Sequence, residues 1–168
     1  MTKKTKSIIG IDPGFSGAIA FLNSSSNDYL LGSCLKIYDL PLQMHMGRRQ
    51  VDPKALTQYI QNYQASFCGI SFAIVEDVSA MPGQGVTSMF RFGYNAGILL
   101  GVLGALGIET LKTPSKVWKS ALNLTRNKKD SLKMARKLFP DNTKDFTRVK
   151  DDGRAEAALI AYFAKISF

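Results

Sequence analysis

Two short apolar runs that each close on a carboxylate do most to constrain this chain. The first is SIIGID, Ser7 to Asp12, and the second is Ile70 to Val75, followed by Glu76. Runs of this length, rich in isoleucine and valine, read as buried strands. A turn gives Asp12 a reason to stand before Pro13-Gly14, but no turn requires an acid after Ile74-Val75. Between the two runs, Ala18 to Leu22 reads as a second strand, Ser24 to Asn27 as a turn and Tyr29 to Tyr38 as a third strand, together a meander. Pro41 to Val51 reads as polar and irregular. Asp52-Pro53 is a cap with proline at the first helical position, opening a helix to about Tyr63.

Beyond Glu76 the Gly- and Pro-rich stretch Ser79 to Thr87 must be a loop. A helix over about Ser88 to Leu106, a strand over Ile108 to Lys112 and a helix from Thr113-Pro114 to Ala121 follow. Asp130 to Leu138 reads as a further helix, and Asp152 to Lys165 as an amphipathic one. The order predicts an α/β fold, a mixed five-stranded sheet flanked by helices in the ribonuclease H-like arrangement. In that sheet the first and fourth strands can be neighbours, which would set Asp12 beside Glu76. Asp152 and Glu156, four apart, share one helical face. If that face looks at the sheet end, four carboxylates converge. Taken singly, Asp12 is an ordinary turn residue and Asp152 an ordinary helix cap. Together they form an oxygen-only cluster suited to Mg²⁺ or Mn²⁺ rather than zinc. Two such ions about 3.5–4 Å apart would clamp a phosphodiester.

Charge points to the same substrate class. The chain carries +9, and twelve lysines and arginines against three acids between Lys112 and Lys150 account for that whole excess. Such clustering marks a polyanion such as nucleic acid more often than a merely solvated face. The 168 residues are expected to form one domain, with residues 1–6 a flexible basic tail. Two cysteines, Cys34 and Cys68, make neither a metal cluster nor a disulfide framework and fit a reducing compartment such as the cytoplasm, an organelle staying open. The start of the chain makes a poor signal peptide. The apolar run Ile98 to Ile108 is broken by Gly101, Gly104 and Gly107, so no membrane partner is expected. Gly93, Gly97, Gly101 and Gly104 stripe one helical face at about 1 kcal/mol each against alanine. The stripe makes sense where a sheet, or a second copy of the helix, approaches closely.

GIDPGFSGAIA (Gly10 to Ala20), IVED (Ile74 to Asp77), FRFGYNAGILLGVLGALG (Phe90 to Gly107) and KDDGRAEAALIAYF (Lys150 to Phe163) resemble the RuvC-type Holliday junction resolvases. The similarity is to the phage and bacterial branch that includes the chloroplast junction resolvases. Pro114, Trp118 and Lys119 match its PxxxWK element, and Lys129 to Ser131 with Leu138 to Pro140 match its helix entry and exit. The resemblance runs from about Ser7 to Lys165. It implies metal-binding catalytic acids at Asp12, Glu76, Asp152 and Glu156, holding two Mg²⁺ ions that Mn²⁺ can replace. It further implies a homodimer, built through the helix after Glu76, that nicks opposing strands of a four-way junction and leaves 5′-phosphate and 3′-hydroxyl ends. Roles in DNA recombination and repair follow, with no small-molecule cofactor. In such proteins the loop before the dimer helix inserts an apolar side chain at the junction centre, for which Met81 and then Phe90 are the candidates. Lys116, Lys119, Arg126, Lys128, Lys129 and Lys150 are expected to grip the DNA arms.

The pattern departs from the family at two points. Asp152 and Glu156 stand four apart where bacterial RuvC proteins space these acids three apart, which leaves Asp151 open as a ligand. The sole histidine, His45, lies in a polar stretch far from the acids, so water activation falls to metal and carboxylates. Arg154 either braces the carboxylates or touches the scissile phosphate, Trp118 reads as core, and so does Phe15. The rival functions are a branched-DNA-binding protein without catalysis and an RNA-cleaving relative of the same fold. A sugar-kinase or actin-like ATPase would need a second lobe that 168 residues leave no room for.

Overall fold

The computed structural model describes residues 6–23, 35–67, 69–77, 79, 83 and 85–168. Its strands are β1 (Lys6–Ile11), β2 (Ala18–Asn23), β3 (Leu35–Asp39), β4 (Leu42–His45), β5 (Arg48–Val51), β6 (Gly69–Asp77) and β7 (Thr110–Pro114). The helices are α1 (Pro53–Ser66), α2 (Val86–Ala105), α3 (Ser115–Ala121), α4 (Lys128–Leu138) and α5 (Asp152–Ser167), with 3₁₀ turns at Pro140–Phe146 and Val149–Asp151. Five strands form one sheet in the order β3-β2-β1-β6-β7. The meander β1-β2-β3 is antiparallel, whereas β6 and β7 join in parallel after helical crossovers. The expected mixed five-stranded sheet is present, with its first strand against the strand that carries Glu76.

Side-chain alternation along each strand divides the core in two. Ile9, Ile11, Ala73 and Val75 face α1 and α2, packing with Leu56, Ile60, Leu99 and Leu103. Ile8 and Ile74 point the other way, into a cluster with Trp118, Leu132, Phe139 and the alanines of α5. Gly10 lies on that second face because α5 comes down directly upon it: a Cβ there would overlap the Ala157 carbonyl and the Ala161 amide. Helix α5 is therefore buried nearly all round, including Ala155, Ala157, Ala158, Ala161 and Ala164. The amphipathic helix expected from its sequence is a central one, because α3 and α4 cover the side that would otherwise meet solvent.

The stretch Pro41 to Val51 is also corrected. It forms a second, two-stranded sheet, β4-β5, in register from Leu42↔Val51 to His45↔Arg48. Met46 and Gly47 turn the hairpin with φ of 48° and 72°, the left-handed geometry of a tight hairpin turn. Methionine is an uncommon residue for that conformation, which is why composition reads the segment as irregular. The buried Asn95 of α2 holds the hairpin by accepting from the Val51 amide at 2.9 Å. The cap at Asp52 stands as expected, accepting from the Lys54 and Ala55 amides at 2.9 and 3.1 Å.

Helix α2 amends the expectation about membranes. By length and composition Val86–Ala105 is apolar enough to cross one, despite its glycines. Here it lays Leu99, Val102 and Leu103 on the sheet and keeps Asn95 bonded to β5. Of the expected third strand, Leu35 to Tyr38 lies among the described residues, in β3. The turn Ser24–Asn27, most of the expected Tyr29–Tyr38 run, Cys34, Cys68 and Met81 lie outside the described residues.

Candidate active site

The strand alternation that sends Ile74 and Gly10 towards α5 also decides where the acids go. Glu76 is two residues beyond Ile74 and Asp12 two beyond Gly10, so both belong to the α5 side of the sheet. Ile11 pairs with Val75 in the parallel register, and continuing that register by one brings Asp12 level with Glu76. Helix α5 supplies the other two. Its first turn abuts the β1–β2 turn, where a Cβ on Gly153 would strike the Ser16 carbonyl, and no side chain larger than hydrogen permits that approach. Asp152 and Glu156 are both buried there. The four expected acids thus meet at one end of the sheet.

Their proximity is visible in the charge of Asp12, whose pKa rises from 3.8 to about 7. Burial is the largest cause, opposed by the Gly14 amide, and Glu76, Glu156 and Asp152 each push it further up. The protein also holds one oxygen of each carboxylate. Asp12 Oδ1 accepts from the Gly14 amide at 3.0 Å, and Glu76 Oε1 from the Trp118 indole at 3.1 Å. Glu156 Oε1 accepts from Ser131 Oγ at 3.2 Å and pairs with Lys119 Nζ at 2.7 Å. Asp152 Oδ2 pairs with Lys128 Nζ. Among the described residues no three acids stand close enough to cage an ion as they are, and Asp152 and Glu156 are each paired with a lysine. The donor set nonetheless fits a hard divalent cation. It is all carboxylate oxygen, and a cation among the acids would offset the part of the Asp12 shift that Glu76, Glu156 and Asp152 add to that of burial.

Asp151 is occupied elsewhere. It holds the N-cap position of α5, and its carboxylate takes the Arg148 backbone amide at 2.7 Å and the Arg148 guanidinium at 2.7 and 3.0 Å. That arrangement keeps its pKa low despite burial. Arg154 forks onto Asp39 at the end of β3, at 2.6 and 2.7 Å, tying the first turn of α5 to the sheet edge rather than meeting the acids.

Beside the acids runs a cleft of about 840 Å³ lined by Glu76 and Glu156 together with Lys116, Lys119 and Arg126. Lys128, Lys129 and Lys150 are exposed and do not line it, and Lys128 is spent on Asp152. Phe90 is 68% exposed and stacks on Tyr94 at 6.4 Å between ring centres. Phe15, expected in the core, is 39% exposed on the β1–β2 turn. Trp118 is fully buried, as expected. Sequence reasoning passed over a second basic group, Arg48 and Arg49 of the hairpin with Arg91 of α2, around a cavity of about 300 Å³ walled by Phe90 and Tyr94. The doubled arginine after Met46-Gly47 was its only local signal.

These features define a ribonuclease H-like protein of the RuvC fold. Two solved structures from Thermus thermophilus share it: RuvC in complex with a Holliday junction substrate (TM-score 0.57, 15% identity, 96% of each chain) and RuvC itself (TM-score 0.54, 16% identity, 95% of this chain and 96% of that one). Among curated proteins the chain is similar to the chloroplastic Holliday junction resolvase MOC1 of Chlamydomonas reinhardtii, at 35% identity over 95 residues. That stretch is 55% of this chain and 11% of the relative, so the chain spans about a tenth of the protein it matches. No protein-family model matches the chain. The resemblance read from the motifs therefore agrees with both a curated resolvase and the RuvC fold.

Proposed function

We propose that this protein is a structure-selective DNA endonuclease that resolves four-way junctions. The observation that carries the reading is the gathering of Asp12, Glu76, Asp152 and Glu156 at one sheet end, next to a cleft edged by Lys116, Lys119 and Arg126. The fold shared with a junction-bound RuvC and the stretch shared with a curated resolvase support the choice of substrate. In this reading the four acids hold two Mg²⁺ ions, or Mn²⁺ in their place, which would activate a water and stabilise the departing 3′ oxygen, leaving a 5′ phosphate. Lys119, which pairs with Glu156 and lines the cleft, would meet a phosphate backbone entering the site.

A junction is cut on opposing strands, which calls for two centres related by a twofold axis. The exposed face of α2 is suited to supply it. Its glycines at 93, 97, 101 and 104 meet no neighbouring atom, and Phe90 and Tyr94 continue that apolar surface. We place the homodimer contact there. A role in recombination and repair follows from the substrate. The compartment is one that holds such DNA, cytoplasm or, as for the algal relative, an organelle.

A binding-only reading draws on one observation, the direct pairing of two lysines with two of the acids. A gel assay separates the readings, using a synthetic four-way junction, a linear duplex and an RNA–DNA hybrid, each with Mg²⁺. The nuclease reading expects paired nicks in the junction alone, and none from Asp12→Asn protein that still binds it. Binding without cutting by the unaltered protein would leave the binder, and cutting of the hybrid alone would leave the RNA-cleaving relative.

A further inference from the structure

We propose that Trp118 is a positioning residue for Glu76, its indole N–H holding Oε1 so that Oε2 is the oxygen presented to a divalent cation. The inference rests on the nuclease reading and deepens it. The indole is the only hydrogen-bonding group on a tryptophan side chain and can only donate, so a fully buried one needs an acceptor. Backbone carbonyls commonly serve. Here the acceptor is the strand-end acid Glu76, 42 residues away in sequence, at 3.1 Å.

The topology brings the two residues together. β7 lies parallel to β6 with Thr113 opposite Glu76 and Pro114 opposite Asp77. The helix that starts at Ser115 therefore begins beside the strand end and returns its fourth residue, Trp118, to the same face as Ile74 and Glu76. There the ring packs in the core with Ile74, Leu122 and Leu132, which fixes the direction of the N–H. A hydrogen bond to an ionised carboxylate is stronger than one between neutral groups and is directional. A rigid ring thus decides the rotation of a side chain that would otherwise swing at the mouth of an open cleft. The next residue completes the device: Lys119 pairs with Glu156 while its ammonium lies 5.0 Å from the Trp118 ring centre. Outer groups that orient metal-binding carboxylates typically change metal affinity by about 10–100-fold when removed.

Trp118 is the single tryptophan of the chain, so an indole-¹⁵N-labelled sample gives one indole cross-peak, from the group in question. Mg²⁺ titrated into the full chain without DNA should move that peak saturably, and the half-saturation should match the affinity found by calorimetry. In Glu76→Gln protein the peak should stay still over the same range. Trp118→Phe keeps an aromatic ring in the core and removes the donor. It should weaken Mn²⁺ binding by about tenfold while melting cooperatively. Normal metal uptake by the unaltered protein with an unmoved indole peak, or with equal affinity in Trp118→Phe, overturns the positioning role and leaves the metal site standing. An unaltered protein that takes up no divalent ion overturns the metal site itself and the inference with it. Should Trp118→Phe fail to fold, the peak titration of the unaltered protein decides.

Discussion

Asp12 shows how one side chain can be both required and unfavourable. With a native pKa near 7 against 3.8 for the free group, the folded protein binds a proton there more tightly than the unfolded chain does. Stability is lost wherever the native state holds more protons than the unfolded state as pH rises, so this group costs stability between pH 3.8 and about 7. Metal-free protein should show a melting temperature that falls across that window by more than Asp12→Asn protein does. Thermal melts at pH 5 and pH 8 in a chelator measure the difference. Parallel curves for the two proteins would mean that the pKa of Asp12 is not raised in the folded protein. Both strand-closing acids were legible in sequence, since each ends a local apolar run. The partners of the acids were not. Lys119–Glu156, Lys128–Asp152 and Trp118–Glu76 join residues 24 to 42 apart, and only the folded chain sets them side by side.

Among the elements, α2 and α5 show how glycine works in two opposite ways. Gly10 and Gly153 are filled-in positions, where the neighbouring backbone leaves no room for a Cβ and the acids depend on the close approach. The glycines of α2 face open space, so within one chain a side chain there is tolerated and gains helix propensity. Gly97→Arg should therefore leave a folded protein with an unchanged far-ultraviolet spectrum. If the glycine face joins two copies, that change should also shift the mass in light scattering from dimer to monomer. A Gly97→Arg protein that stays dimeric would move the contact off this face. Sequence pattern was enough for the five strands of the main sheet and for the order of the helices, because apolar period and capping are local signals. It missed the β4–β5 hairpin, whose turn uses Met46, and it read α5 as amphipathic rather than buried nearly all round, because the alanines that let it sink onto β1 carry little hydrophobic contrast.

The whole molecule separates its charges: acids gathered at the sheet end, and basic side chains of α3 and the segment after it along the adjoining cleft. Lys116 and Arg126, exposed and free of ion pairs with the acids, are expected to contact phosphate. Replacing either by alanine should weaken junction binding with little regard to sequence and lower the slope of log affinity against log salt by about one. Fluorescence anisotropy over a salt series measures that slope, and an unaltered slope would place the DNA elsewhere, with the Arg48, Arg49 and Arg91 group the next surface to test. The central claim concerns the pocket itself, and crystals grown with Mn²⁺ test it most directly. An anomalous difference map should show two peaks about 3.5–4 Å apart, each within about 2–2.2 Å of oxygens from Asp12, Glu76, Asp152 or Glu156, with Lys119 and Lys128 released from their acids. A map without peaks there, and with both lysines still on Glu156 and Asp152, would contradict the account.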